Sequence, residues 1–168
     1  MIIGTVLSTI GAVLIAVPIA LFTSIAIAEV LPKKIASIVR SVIEILAAIP
    51  SVIYGIFGLG IIVPLIMNIS PQPQGQSLLA VIIVLSMMIL PTVVAVSEAA
   101  IRSVPQSYKE ASLGLGANKI QTIFKVILPA AKSGISAGVV LGIGRALGET
   151  MAVILVAGNP GGGVPNSI

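Results

Sequence analysis

Long apolar stretches alternate with short polar ones along this chain, and the stretches have membrane-spanning length. The first runs from Ile2 to Ala28 without a charge, and others cover about Ile45–Ile69, Leu78–Ala100 and Ser133–Ala157. A helix needs about 20 mainly apolar residues to cross the hydrocarbon core, so the pattern predicts four transmembrane helices. Pro71-Gln72-Pro73-Gln74-Gly75-Gln76 predicts a turn between the second and third, and the Gly- and Pro-rich Gly158–Ser167 a loop after the fourth. Leu31–Ile43 reads as an interfacial elbow helix, a membrane-surface anchor with Arg40 and Glu44 paired at i, i+4.

The polar stretch at about 103–130 carries helix signals of its own. Ser107 and Glu110 have the spacing of a capping box, and Gly114 and Gly116 end the helix they would start. Asn118 and Gln121 offer a second cap, and Ile120, Ile123, Phe124 and Ile127 occur at helical spacing after it. Pro129 is expected to stop that helix before the fourth span. The product is a helix, a glycine bend and a helix, with apolar side chains at a membrane surface. Either the protein's own membrane domain covers them or a partner does.

Composition narrows the chemistry. Hydrophobic residues make up 57% of the 168 and charged residues 8%, against roughly 25% charged in a soluble domain. The fold class is therefore all-α integral membrane. Asp, His, Cys and Trp are absent. Disulfides, thiolate and imidazole chemistry and the usual zinc sites are excluded, and no metal or cofactor is expected. No Gly-x-x-x-x-Gly-Lys occurs, and the glycines at 142, 144 and 148 have the wrong spacing for a dinucleotide loop, so any ATP must be used by another subunit. An intramembrane enzyme would need Glu or Ser chemistry, and no nucleophile–base pair is visible. The net charge of +4 lacks the basic stripe of a nucleic-acid binder.

The charges instead report orientation. Lys33, Lys34 and Arg40 lie between spans one and two; Arg102, Lys109, Lys119, Lys125 and Lys132 lie between spans three and four. The positive-inside rule places Lys33–Arg40 and Arg102–Lys132 in the cytoplasm, with the N-terminus and Gly158–Ile168 outside. Glu98 and Arg102 read as a second i, i+4 pair near the inner surface; Glu29 and Glu44 also lie near that surface, in reach of a partner subunit. Pro18, Pro50, Pro64 and Pro91 fall within spans, as tolerated kinks or as hinges.

Arg145 is the ninth basic residue, about 20 Å along the fourth span from Lys132. Gly134, Gly138 and Gly142 form a small-residue stripe, and helical periodicity puts Arg145, Glu149 and Ala152 on the same face. Two readings stand. Arg145 and Glu149 neutralise each other as a pair, or Arg145 meets an anion in a pathway while Glu149 competes for it and prevents trapping.

Glu110-Ala111-Ser112, Gly116, Val126, Leu128 and Pro129 resemble the EAA motif of ABC-importer permeases, with Ser112 and Val126 as mild departures. That resemblance implies the MetI-like bundle of five core helices. Four are visible here, so the chain is expected to be truncated, with the fifth beyond its C-terminus. It also implies that Ser107, Glu110, Ala111, Ser112, Gly116, Leu128 and Pro129 couple the permease to a cytoplasmic ATPase dimer. Gly144–Ala152 with Gly158-Asn159, and Ile49–Gly55, resemble the permeases of the phosphate-specific transport system, the PstC-like subunits above all. This second resemblance implies a non-enzymatic subunit of an ATP-driven phosphate importer in a bacterial or archaeal inner membrane. Its pathway residues would be Arg145, Glu149 and Thr150. Its partners would be the ATPase, a second related permease, an extracytoplasmic phosphate-binding protein and the bilayer. The alternatives are a permease for sulfate or molybdate, and a non-transporting scaffold that recruits a soluble partner.

Overall fold

The computed structural model describes residues 2–69 and 78–157. Among these every regular element is a helix: α1 (Ile2–Ile25), α2 (Lys33–Ala48), α3 (Ser51–Phe57), α4 (Val63–Ile69), α5 (Leu78–Arg102), α6 (Gln106–Gly114), α7 (Lys119–Thr122), α8 (Leu128–Gly148) and α9 (Met151–Ala157). Wide π-turns at Ala26–Val30, Gly58–Ile62 and Ile123–Ile127 extend α1, join α3 to α4 and join α7 to α8. Four stretches are long and apolar enough to cross a membrane: Ile3–Val30, Ser51–Asn68, Leu78–Arg102 and Lys119–Gly148. The Pro71–Gln76 turn and the Gly158–Ile168 loop lie outside the described residues.

Helix α5 is the centre of the bundle, because two neighbours reach it through small residues. On α1, Ala12, Ala16 and Ala20 recur every four residues and are fully buried. Gly11 sits against Ile82, and the Ser86 hydroxyl, which bonds back to the Ile82 carbonyl at 2.6 Å, also comes within 3.3 Å of the Ala12 carbonyl. On α8, Gly134 meets Ala100, Gly138 meets Val96 and Ser97, and Gly142 meets Val93 and Ile89. Without side chains in the way the backbones approach closely, which is how helices associate in lipid. The glycine stripe expected on the fourth span therefore faces α5.

Two helix breaks shape the rest. Ile49 is extended (φ −64°, ψ 128°) because Pro50 behind it disfavours the helical region, so α2 ends and α3 begins at Ser51. Residues 45–48, expected in the second span, belong to α2 instead. The Tyr54 hydroxyl donates to the Leu46 carbonyl at 2.7 Å, beside the Ile49 amide that bonds the same oxygen at 3.3 Å, and so ties α3 to the end of α2. The second break is at Glu149, also extended (φ −81°, ψ 117°). The continuous helix expected over 133–157 is thus two pieces, α8 and α9. Helices α3 and α9 touch, with Gly55 against Ala152 and Leu155 and Gly58 against Val156.

The prolines divide by position. Pro18 and Pro91 lie inside helices. Pro50 lies at a helix start instead of within a span. Pro129 does not stop the helix, contrary to expectation. The π-turn before it bonds the Leu128 amide to the Ile123 carbonyl, one residue further back than in an α-helix. That wider turn relieves the ring clash a proline would otherwise cause. The second loop helix therefore runs unbroken into the fourth span.

Candidate functional site

Arg145 lies in the last turn of α8 and is half-buried. Its Nη1 donates to Thr92 Oγ1 of α5 at 2.7 Å. Glu149 faces another way: Oε1 accepts from the Ala152 amide at 3.0 Å and caps α9. No ion pair joins Arg145 to Glu149 among the described residues. The i, i+4 pair, one of the two readings of these residues, requires a continuous helix, and the helix ends at Gly148. The break at 149 turns the carboxylate forward to the free amides of the next helix, where an acceptor is favoured. Thr150 is exposed, and its carbonyl accepts from the Ile154 amide at 2.9 Å in the first turn of α9.

The chemical consequence is a cation in an apolar span held by a neutral hydroxyl. A hydroxyl fixes the guanidinium without cancelling its charge. The planar fork keeps further donors for an oxyanion. Thr92 was not legible as a partner, since only tertiary packing brings residues 53 apart together; the one signal was a hydroxyl beside Pro91 in an otherwise apolar run.

A second charged cluster sits toward the Arg102 end of α5. Glu98 is buried and pairs with both Arg102, as expected at i, i+4, and Arg40 of α2. Arg40 Nε also donates to Glu98 Oε2 at 3.2 Å. The expected Arg40–Glu44 pair is not formed, because packing of α2 on α5 offers Arg40 a more deeply buried carboxylate with a matching fork. Glu44 instead lines, with Arg40, Glu98 and Arg102, a hollow of about 280 Å³.

The loop after α5 forms a helical pair. Helix α6 starts at Gln106 after Pro105, and the Ser107–Glu110 capping box is not formed. Proline fixes the entry one residue before the serine, so Ser107 is already helical and cannot act as the cap. The Asn118–Gln121 box is present in both directions, at 2.8 and 3.1 Å. Between the helices Gly116 takes φ +87°, which a residue with Cβ adopts only at a cost. Ser112 Oγ and Thr122 Oγ1 lie 3.0 Å apart and tie α6 to α7.

The cover of the loop's apolar residues is divided. Ile123 and Ile127 pack with Ile101, Val104 and Ala131 beneath the loop. Leu115 (90%), Ile120 (67%), Phe124 (55%), Tyr108 (53%) and Leu113 (51%) stay exposed. Ala111, Ser112 and Gly116 line an open hollow of about 700 Å³ with Tyr108, Leu115 and Lys125. Glu110, Ser107 and Pro129 are exposed, and Leu128 is half-buried.

Lys109 of α6 pairs with Glu29, in the π-turn that extends α1, and both side chains are largely buried. This bond anchors the loop to the first span. Glu29→Gln should speed amide exchange in α6 by roughly 5- to 30-fold, the effect of losing 1–2 kcal/mol. The swap Glu29→Lys with Lys109→Glu should restore most of the protection. Unchanged exchange in the single variant would show that the pair does not hold α6.

Comparison with known proteins places this arrangement. The family model described as binding-protein-dependent transport system inner membrane component matches residues 16–167. The chain is 45% identical over 156 residues to the probable ABC transporter permease protein YqgH of Bacillus subtilis, covering 93% of this chain and 50% of that protein. It is 40% identical over 177 residues to the phosphate transport system permease protein PstC of Pasteurella multocida, covering 94% and 55%. To PstC 1 of Mycobacterium tuberculosis it is 35% identical over 187 residues, covering 100% and 55%. The chain spans about half the length of the curated relatives it matches. The EAA-like loop, the apolar helices and the match over 16–167 together make this chain a member of the family of binding-protein-dependent transport system inner membrane components.

Proposed function

We propose that this chain is part of the permease subunit of an ATP-driven importer of inorganic phosphate. The observation that carries this reading is Arg145. Its guanidinium lies in an apolar span, is fixed by neutral Thr92, and is not consumed by Glu149. An uncompensated cation there is costly unless it serves a passing anion. Relatives of 33–40% identity bear the name of PstC phosphate permeases, which points to the same substrate.

Glu149 supports phosphate over sulfate. Phosphate carries a proton at neutral pH and can donate to a carboxylate; sulfate cannot. Glu149 Oε1 is used by the cap of α9, which leaves Oε2 as an acceptor at the helix break that follows Arg145. When the cap opens, the same carboxylate competes for Arg145 and releases the anion. Thr150, exposed at the break, lines the same step of the path.

The loop of Ser107, Glu110, Ala111, Ser112, Gly116, Leu128 and Pro129 docks on a cytoplasmic ATPase dimer through its exposed apolar face. A second related permease completes the path, and a phosphate-binding protein delivers the anion from outside. Lys33–Arg40 and Arg102–Lys132 lie in the cytoplasm; the N-terminus and Gly158–Ile168 lie outside. ATP-driven closure moves the loop as a unit, because Ser112–Thr122 ties α6 to α7, and Lys109–Glu29 carries the motion to the first span. The motion reaches Arg145 directly, since the loop helix is continuous with α8.

The test is ATP-driven uptake of labelled phosphate by the complete transporter in vesicles, with sulfate and molybdate as competitors. Uptake indifferent to both is the expected result. Uptake abolished by either competitor would reassign the substrate. ATPase recruitment without uptake of any oxyanion would establish the scaffold reading in its place.

A further inference from the structure

We infer that Thr92 is a positioning residue that sets the Arg145 guanidinium for an oxyanion; this rests on the reading of Arg145 just given. A hydroxyl inside a helix usually bonds back to the carbonyl four residues earlier. Ser86 does so to Ile82 at 2.6 Å, and Thr23 to Ile19 at 2.7 Å. The described bond of Thr92 crosses to another helix and accepts from Arg145 Nη1.

That geometry has three consequences. Helix α5 is the most buried element, so Thr92 offers a fixed point, while Arg145 sits in the last turn of α8, three residues before its end. Without the anchor the long arginine side chain is free to change rotamer. The anchor is also neutral. A carboxylate at position 92 would hold Arg145 as firmly but would cancel its charge and compete with the anion. Finally, the bond takes one Nη1 hydrogen and leaves the Nε–Nη2 edge for bidentate contact with a tetrahedral oxyanion.

The experiment compares Thr92→Val, which keeps the shape and removes the hydroxyl, with Thr92→Ser, which keeps the hydroxyl. Both are placed in the complete transporter in vesicles, and uptake of labelled phosphate is measured over a range of concentrations, with labelled sulfate in parallel. ATPase activity and thermal stability of the same vesicles report folding. Thr92→Val should lower maximal uptake about tenfold, the loss of one hydrogen bond to a charged group. Half-saturation, set by the external binding protein, should stay put. Thr92→Ser should remain within about twofold of the parent, because the hydroxyl is retained. Wild-type maximal uptake in Thr92→Val, or equal losses in Val and Ser, would overturn the inference. An Arg145→Gln control separates the two readings. If that control transports normally, the role of Arg145 fails; if it is inactive while Thr92→Val is normal, only the role of Thr92 fails.

Discussion

Arg145→Gln is expected to cut ATP-driven phosphate uptake by at least about tenfold, because it removes charge-assisted donors to an anion, each contributing about 1.5–3 kcal/mol. The amount of folded permease should not fall. Arg145 makes no ion pair among the described residues, and its partner there, Thr92, is neutral, so no buried carboxylate is orphaned by the change. Arg145→Lys should be intermediate: it keeps the charge but loses the fork. These outcomes differ from those of a structural role. If Arg145 held the bundle together, Gln would lower the melting temperature and the yield while uptake per folded molecule stayed constant. Measuring uptake and melting on the same vesicles separates the two. Glu149→Ala is a useful contrast, because that carboxylate also caps α9 and alanine leaves no acceptor. A stability loss of about 0.5–2 kcal/mol is ordinary for a lost cap.

Much of the architecture could be read from the chain because lipid leaves few options. A span must satisfy its backbone internally, so uncharged stretches of sufficient length are helices. Gly134, Gly138 and Gly142 announced the α5-facing side of α8, since small residues repeated every four positions mark close packing. The Asn118–Gln121 box was legible because capping is local. The Ser107–Glu110 box has equal spacing yet does not form. Pro105 fixes the helix start before Ser107, so proline geometry overrides side-chain preference.

The misreadings share a cause in non-local structure. Average hydropathy does not register the breaks at Ile49–Pro50 and Glu149, because the residues on both sides are equally apolar. Periodicity across 145–152 assumed one helix and so put Arg145 and Glu149 on one face, where a pair was one of two readings. For Arg40, a same-helix partner was the only one that spacing can see, and Glu98 of α5 displaced it. Glu29 had no visible partner because Lys109 lies 80 residues away. Pro129 resembled a stop signal only under α-helical geometry, and the π-turn at Ile123–Ile127 changes that geometry. The charged residues were thus found from sequence, while their partners required the packing of α2, α5, α6 and α8.

The packing of α8 on α5 carries the second large effect. Gly134→Ala and Gly142→Ala are each expected to destabilise the permease by about 1–3 kcal/mol, the usual cost of overpacking. A Cβ at position 134 would lie 2.4 Å from Ala100 Cβ, and one at position 142 would lie 2.6 Å from Val93 Cγ2 and 2.7 Å from Ile89 Cγ2. None of these atoms can retreat cheaply. Ala100 Cβ moves only with its backbone, and the valine and isoleucine branches are stiff at χ1 in a helix. The two helices must therefore separate, which loosens the Thr92–Arg145 bond one turn beyond Gly142 and should reduce uptake as well as stability. Gly144→Ala and Gly148→Ala are the controls, since a Cβ there meets nothing within 4 Å. Gly144, inside α8, should be neutral or gain up to about 1 kcal/mol from helix propensity. Thermal unfolding of the four variants in one detergent tests the order. Equal melting temperatures for the 142 and 144 variants would mean that α8 does not approach α5 as closely as its glycines allow.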